Sequence, residues 1–127
     1  MSAEESKGPR IEEPTGPFQG GLSQLLDLKL VNISEAEVVA ELVITSKHHQ
    51  PMGIVHGGVY CAIVETVCSI GGFVNAIKGG RHVVGVDNQT SFLKATRTGT
   101  LRAVGKPLNV GRRTQLWEAN IYNEQGE

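Results

Sequence analysis

The sequence is poor in the residues that mark several classes of protein. Only two of its 127 residues are cysteine, too few for a disulfide scaffold and suited to a reducing compartment. Its 12 basic and 13 acidic residues leave a net charge of −1, which disfavours nucleic-acid or membrane-surface binding driven by bulk charge. No segment shows the basic, apolar and small-residue pattern of a secretory signal. The composition predicts a cytoplasmic protein without nucleic-acid or membrane partners.

Glycine and proline, by contrast, are informative where they occur. The chain has 16 glycines, where average usage would give roughly 9, and they follow no fixed period that would indicate collagen. Three of the five prolines and four glutamates lie near the N-terminus, in a stretch with almost no apolar residues. We therefore expect residues 1–18 to form a disordered leader and residues 19–127 to form one domain.

Hydrophobic periodicity predicts an α+β fold. Val38, Ala40, Leu42 and Ile44 alternate with polar positions, as in a strand with one buried face. Thirteen of the nineteen residues in 59–77 are apolar and surround the whole helix, which predicts a buried central helix. A carboxylate and a pair of glycines within it argue against a bilayer span. A sheet curled around this helix would complete the fold. The further strand-like runs span 83–93, 100–108 and 114–122.

The start of the long helix holds the first candidate catalytic group. Gly57 and Gly58 open the helix, where the first N–H groups have no intrahelical acceptor and the helix dipole is positive. Such an N–H stabilises an oxyanion when a substrate carbonyl is placed on it, and glycine allows a close approach. The alternative is that the Gly57-Gly58 pair only lets the loop turn into the helix.

Glu65 is the second candidate group. It is the only charged residue between Gly57 and Ile77, on a helix predicted to be buried. Buried glutamates are uncommon unless they are paired or functional, so acid–base chemistry is a reasonable role. Ser69 lies four residues on and is placed to orient the carboxylate. The alternative is a structural glutamate that pairs with an arginine at a subunit interface.

The remaining polar residues carry weaker signals. His48, His49 and His56 match no standard zinc spacing, and no metal site is expected. Neither a catalytic-triad signature nor a Walker or dinucleotide motif is present. Basic residues gather in the C-terminal third, where guanidinium groups could hold phosphate oxygens or simply solvate the end of a strand. The residues considered for phosphate binding are Lys94, Arg112 and Arg113.

The string His56-Gly57-Gly58 followed by Glu65 resembles the hotdog-fold acyl-coenzyme A thioesterases. The resemblance is to the glutamate-type 4-hydroxybenzoyl-coenzyme A thioesterases and to the related 1,4-dihydroxy-2-naphthoyl-coenzyme A and enterobactin-proofreading thioesterases. It covers the chain from about Leu22 to the end. The fold that it implies is a long helix wrapped by a curved antiparallel sheet. The activity that it implies is hydrolysis of an acyl thioester to a free acid and coenzyme A.

The resemblance also implies a role for each site residue. Glu65 would be the catalytic carboxylate, acting as a nucleophile or as a general base on water. The backbone N–H of Gly57 would polarise the thioester carbonyl. Gln50 and His56 would bind the thioester region or the attacking water, and Ser69 would position that water or the carboxylate.

Partners follow from the resemblance in the same way. Active sites in the family form at dimer interfaces, and its glutamate-type members are usually tetramers, so a homo-oligomer is expected. Arg112 and Arg113 match positions near the coenzyme A phosphates in relatives. No cofactor is implied, because coenzyme A is part of the substrate.

Two departures from the family pattern bear on substrate and chain length. Some relatives have a histidine where this chain has Phe92, which cannot hydrogen-bond the hydroxyl of an aromatic acyl group. Relatives also continue into a last strand after the turn at 123–126, so we expect a truncated chain or another element at that edge. Two other functions stay open: a non-catalytic acyl-coenzyme A binding protein and, ranked last, a hotdog dehydratase.

Overall fold

The computed structural model describes Phe18 and residues 20–127 of the chain. The leader predicted over 1–18 lies outside the described residues except for Phe18, whose ring packs edge-on against Phe73 with 5.3 Å between centroids. In chain order the elements are α1 (Gly21–Leu25), β1 (Lys29–Ile33), β2 (Val38–Val43), a 3-10 turn (Ser46–His48), α2 (Gly57–Ile77), β3 (Thr100–Val110) and β4 (Gln115–Tyr122).

The four strands form one antiparallel sheet in the order β1-β2-β3-β4, and α2 packs on one of its faces. This arrangement confirms the α+β prediction, and α2, β2, β3 and β4 lie where periodicity placed them. Strand β1 was missed. Its pairing with β2 shifts between Leu30 and Asn32, and such a bulge breaks the alternation on which strand prediction depends.

The core lies between β2, β3 and one face of α2. Val38, Ala40 and Leu42 point from β2 into this core and are at most 1% exposed. Ile63 and Val67 meet them from α2, at a spacing of four residues that keeps both on one side of the helix. Burial of each valine, leucine or isoleucine side chain in this core contributes about 1.5–3 kcal/mol to folding.

The prediction that α2 is buried all round is wrong for the single chain. Six of its residues are buried, and they lie on the face that packs against the sheet. The opposite face is half-buried or exposed, and Glu65 is exposed there. The reason is that the sheet covers the helix from one side only. Although α2 has the length and hydropathy of a membrane span, its buried residues belong to this core.

The strand predicted over residues 83–93 is not a strand in the described chain. This segment pairs with none of the four strands and instead crosses the open face of α2. Val83 lies over Gly72 near the end of the helix, and Phe92 lies over Gly57 at its start. The segment therefore has no ladder partner among the described strands, and Val84 and Val86 are 85% and 92% exposed. We call residues 83–93 the crossing segment.

The glycine pair within α2 allows close packing against β4. The indole of Trp117 lies against Gly71 so closely that any Cβ there would overlap the ring. The indole N–H donates to Oε1 of Gln115 at 2.8 Å, and the Gln115 amide donates to the carbonyl of Gly72 at 3.1 Å. Helix and strand are thus joined by ring packing and by two hydrogen bonds in series.

This packing predicts opposite effects for two neighbouring substitutions. Gly71→Ala is expected to lower the free energy of unfolding by about 1–3 kcal/mol, because the added methyl overpacks the Trp117 ring. Gly72→Ala places its Cβ 3.6 Å from Gln115 Oε1, an ordinary contact, and alanine favours a helix by about 0.5–1 kcal/mol. Thermal unfolding of both variants at one protein concentration is the measurement. Equal destabilisation of the two would contradict the packing described.

Candidate active site

The loop before α2 ends in a histidine that caps the helix. His56 accepts the N–H of Gly58 on Nδ1 at 2.7 Å, and its carbonyl accepts the N–H of Val59 at 2.9 Å. Because Nδ1 accepts, the neutral ring carries its proton on Nε2, and this side chain is exposed. The N–H of Gly57 donates to no acceptor within residues 20–127. The start of α2 thus presents two donors, Gly57 N–H and His56 Nε2–H.

Gln50 lies in the tight turn that leads to this helix start. Its N–H donates to the carbonyl of Ile54 at 2.8 Å, and its carbonyl accepts the N–H of Gly53 at 2.9 Å. Gly53 has a φ of +80°, the left-handed region that favours glycine. The side-chain Oε1 accepts the N–H of Met52, so the amide Nε2 is the end that can reach a ligand. Arg97 braces the turn by donating to the Met52 carbonyl at 3.1 Å.

An aromatic pair flanks the helix start. The rings of Phe92 and Tyr60 lie 6.0 Å apart between centroids, and a Cβ on Gly57 would come within 3.1 Å of the Phe92 ring. Phe92 is 56% exposed, so much of its ring still faces solvent. A group bound at the Gly57 N–H would meet an aromatic surface that offers no hydrogen bond from Phe92.

The Glu65 carboxylate is held at both oxygens. Ser69 Oγ donates to Oε2 at 3.3 Å, and Asn88 Nδ2 donates to Oε1 at 3.0 Å. Asn88 belongs to the crossing segment, and its Nδ2 also donates to the carbonyl of Cys61 at 3.2 Å. The carboxylate is exposed and yet fixed in direction, which suits a group that meets a ligand from outside its own chain.

A single chain does not bring the two candidate groups together. Gly57 and Glu65 are eight residues apart on α2, about 12 Å along the axis. A reacting carbonyl needs its oxyanion donor and its attacking group each within about 3–3.5 Å. Gln50, His56 and Gly57 therefore make up one group of candidate site residues, and Glu65 and Ser69 make up a second, separate group.

The predicted phosphate-binding residues also lie apart. The ammonium of Lys94 is 2.7 Å from the carboxylate of Glu127, and this contact holds the pKa of that carboxyl below its usual range. Arg112 and Arg113 lie in the turn between β3 and β4, at the opposite end of β4 and exposed. Arg81 joins them by donating to the carbonyl of Arg112 at 2.5 Å.

The histidines before the turn have structural partners. His48 is fully buried, accepts the N–H of Thr45 on Nδ1 at 2.9 Å and donates from Nε2 to the carbonyl of Leu26 at 2.8 Å. His49 Nε2 bonds the carbonyl of Arg97 at 2.8 Å. In the part of the chain that the structure describes, no three His, Cys, Asp or Glu side chains are grouped to hold a metal ion.

Cys68 lies close to Glu65 but is not suited to attack a carbonyl. Burial raises the pKa of the Cys68 thiol to about 11, and the negative charge of Glu65 adds to this rise. The thiol is therefore protonated at neutral pH, whereas the thiolate is the nucleophilic form. Of these two groups, the carboxylate is the one available for chemistry at neutral pH.

Sequence comparison identifies the family of this chain. The thioesterase superfamily profile matches residues 52–127, from the turn before α2 to the end of the chain. This chain belongs to the thioesterase superfamily.

The thioesterase has relatives that match most of its length. It is 35% identical to the proofreading thioesterase EntH of Cronobacter turicensis over 107 residues, which cover 84% of this chain and 77% of the relative. It is 31% identical to the 1,4-dihydroxy-2-naphthoyl-CoA hydrolase of Escherichia coli over 108 residues, or 85% and 79% of the two chains. The solved structure of a Mycobacterium tuberculosis esterase superposes with a TM-score of 0.81 at 34% identity. The superposition covers 83% of this chain and 85% of the esterase. The fold is the predicted hotdog fold.

The sequence did not predict a role for two residues that lie beside the Glu65 carboxylate of this thioesterase. Asn88 and Gly85 both lie in the crossing segment, which the sequence presents as an ordinary strand. Their contacts with Glu65 arise only because this segment passes over α2, about twenty residues away along the chain. Neither residue type at that spacing carries a signal that periodicity or motif analysis could have used.

Proposed function

We propose that this thioesterase hydrolyses an acyl- or aryl-coenzyme A thioester to the free acid and coenzyme A. The observation that carries the proposal is the exposed Glu65 carboxylate, hydrogen-bonded at both oxygens on the face of α2 that the sheet leaves open. The names of two relatives, a proofreading thioesterase and a hydrolase of a coenzyme A thioester, support the substrate class.

The reaction needs only two protein groups. The Gly57 N–H binds the thioester carbonyl oxygen and stabilises the negative charge that develops on it. As a general base, Glu65 takes a proton from water while the water oxygen bonds to the carbonyl carbon; the C–S bond then breaks and the proton passes to sulfur. As a nucleophile, a Glu65 oxygen bonds to that carbon and displaces the thiolate, and water then hydrolyses the anhydride. Both routes give the same products.

The site is completed by a second copy of the chain. Because Gly57 and Glu65 are about 12 Å apart along one helix, the donor half of one protomer faces the carboxylate half of its partner. In this arrangement Gln50 and His56 bind the thioester region or the water beside Gly57, and Ser69 orients the carboxylate. A two-fold axis makes both sites equivalent.

The crossing segment supplies the surface for this dimer. Its backbone has no ladder partner in the described chain, and Val84, Val86 and Leu93 are 85%, 92% and 92% exposed. Backbone N–H and C=O groups left unpaired in this way can pair with a strand of a second chain. Val43 and Leu116, both 59% exposed on the outer side of the sheet, support association of two dimers into a tetramer.

The substrate contacts divide between the acyl group and the coenzyme. Phe92 lines the acyl side beside Gly57, with Tyr60 next to it. Lys94, Arg112 and Arg113 bind coenzyme A phosphates, from different protomers because Lys94 lies at the far end of the sheet from the arginines. The two free cysteines support a reducing, cytoplasmic location.

A hydrolysis screen over aryl, short-chain and long-chain acyl-coenzyme A tests this proposal, with thiol release as the readout. We expect turnover of at least one class. Benzoyl-coenzyme A should be preferred to 4-hydroxybenzoyl-coenzyme A, because Phe92 leaves a hydroxyl without a partner. Binding of these thioesters without hydrolysis across the panel would contradict the proposal and favour a non-catalytic binding protein.

A further inference from the structure

The crossing segment contacts the Glu65 carboxylate with residues that have no assigned role. The geometry points to Asn88 as a positioning residue that holds this carboxylate in its reactive direction, with Gly85 leaving the space that the carboxylate occupies. This inference rests on the proposed function of Glu65. It adds a second element, outside α2, to the machinery of thioester hydrolysis.

The hydrogen bonds of Asn88 fix its amide in one orientation. Its Nδ2 donates to Oε1 of Glu65 at 3.0 Å and to the carbonyl of Cys61 at 3.2 Å. A carbonyl oxygen only accepts, so Nδ2 rather than Oδ1 must face α2. The Oδ1 atom accepts the hydroxyl of Thr90 at 2.7 Å. Both N–H groups and the carbonyl of the amide are therefore in use, and a flipped amide would lose both bonds to α2.

Asn88 constrains the carboxylate in a way that Ser69 cannot. Ser69 lies four residues from Glu65 on the same helix, so its bond at 3.3 Å moves with the helix. Asn88 belongs to a separate element, and the same element carries Phe92 over Gly57. With one oxygen bonded from each side, the carboxylate is held to one rotamer and one plane. Its position is then set relative to the crossing segment as well as to α2.

Gly85 leaves room for the Glu65 carboxylate because it has no side chain. A Cβ at this position would overlap Oε2 of Glu65. The overlapped atom is the end of a flexible side chain, so a methyl group there would displace the carboxylate rather than disrupt the fold. Gly85 therefore permits the conformation that Asn88 and Ser69 stabilise. A displacement of about 1 Å is enough to cost up to about 100-fold in rate.

Two variants with different physical effects test this inference. Asn88→Ala removes the donor, and Gly85→Ala pushes on the other oxygen of the carboxylate. Each is expected to lower kcat by about 10–100-fold with KM within about twofold, because substrate binding does not need the carboxylate direction. Gly85→Ala should also unfold within about 2 °C of wild type, since no packed group must move. Asn120→Ala on β4 is the matched control: this exposed amide donates only to Glu118, at 3.4 Å, among the described residues, and kcat should not change.

A double-mutant cycle with Glu65→Gln separates positioning from a structural role. If Asn88 acts through Glu65, Asn88→Ala should change the residual kcat by less than about twofold in the Glu65→Gln background. An equal loss of kcat in both backgrounds would overturn the inference, as would wild-type kcat in both Asn88→Ala and Gly85→Ala. Those results would leave the proposed function intact if Glu65→Gln is inactive. Full activity of Glu65→Gln would instead reject the proposed function, and the role of Asn88 with it.

Discussion

Replacing Glu65 with glutamine is expected to lower kcat on a good acyl-coenzyme A substrate by about 10²–10⁴-fold, with little change in KM. Glutamine keeps the shape of the side chain and still accepts the hydrogen bond from Asn88. It can neither take a proton from water nor form an anhydride with the acyl group. Steady-state kinetics of thiol release measure the loss.

Two observations control for damage to the fold. Glu118→Gln changes another exposed glutamate, on β4, whose carboxylate accepts only from Asn120, at 3.4 Å, in the described chain, and it should keep wild-type kcat. Glu65→Gln should also shift thiol titration of Cys68 to lower pH, because the charge of Glu65 helps to raise that pKa. A variant with the shifted titration and near wild-type turnover would reject Glu65 as the catalytic carboxylate.

Replacing Gly57 with proline is expected to lower kcat by about 10²–10³-fold, the usual effect of removing one oxyanion donor. Proline has no N–H, yet it is favoured at the first position of a helix. The preceding residue, His56, already has the extended backbone that proline requires, with φ −65° and ψ 135°. The substitution therefore removes the donor while the helix start keeps its conformation.

Gly57→Ala is the matched control for the proline variant. Both place a Cβ about 3.1 Å from the Phe92 ring, but alanine retains the N–H. We expect alanine to lose far less activity than proline at similar thermal stability. Equal losses in the two variants would mean that crowding against Phe92, rather than the missing N–H, reduces the rate.

The sequence was sufficient for most of the secondary structure because each element carries its own periodicity. The alternation of Val38, Ala40 and Leu42 predicted β2, and the apolar run of 59–77 predicted α2. The bulge in β1 removed that signal. The crossing segment has the composition of a strand, but a strand also needs a neighbour, and none of the described strands pairs with it. Hydrophobic periodicity predicts which face of an element is buried, but it does not predict which other element covers that face.

The candidate site could likewise be predicted only where the signal lies within one element of the chain. Gly57 at a helix start and Glu65 in an apolar helix each carry a signal in the sequence, and Ser69 is one helical turn from Glu65. Gln50 and His56 were predicted only from the family resemblance, and the roles of all five residues stay predictions. The burial expected for Glu65 is not provided by its own sheet. The apolar residues on the outer face of α2 predict that this face is covered, but they do not show whether the same chain or a second chain covers it. Asn88 reaches Glu65 only through tertiary structure.

We propose that Gly57 of one protomer and Glu65 of its partner act at one thioester. Mixing the inactive variants Gly57→Pro and Glu65→Gln, with exchange of subunits, tests this claim most directly. In a mixed dimer one site carries both defects and the other carries neither, so random exchange should restore about a quarter of wild-type activity. If both groups instead served a site within one chain, every site would be defective. Activity no greater than the sum of the two separate variants would then contradict the account.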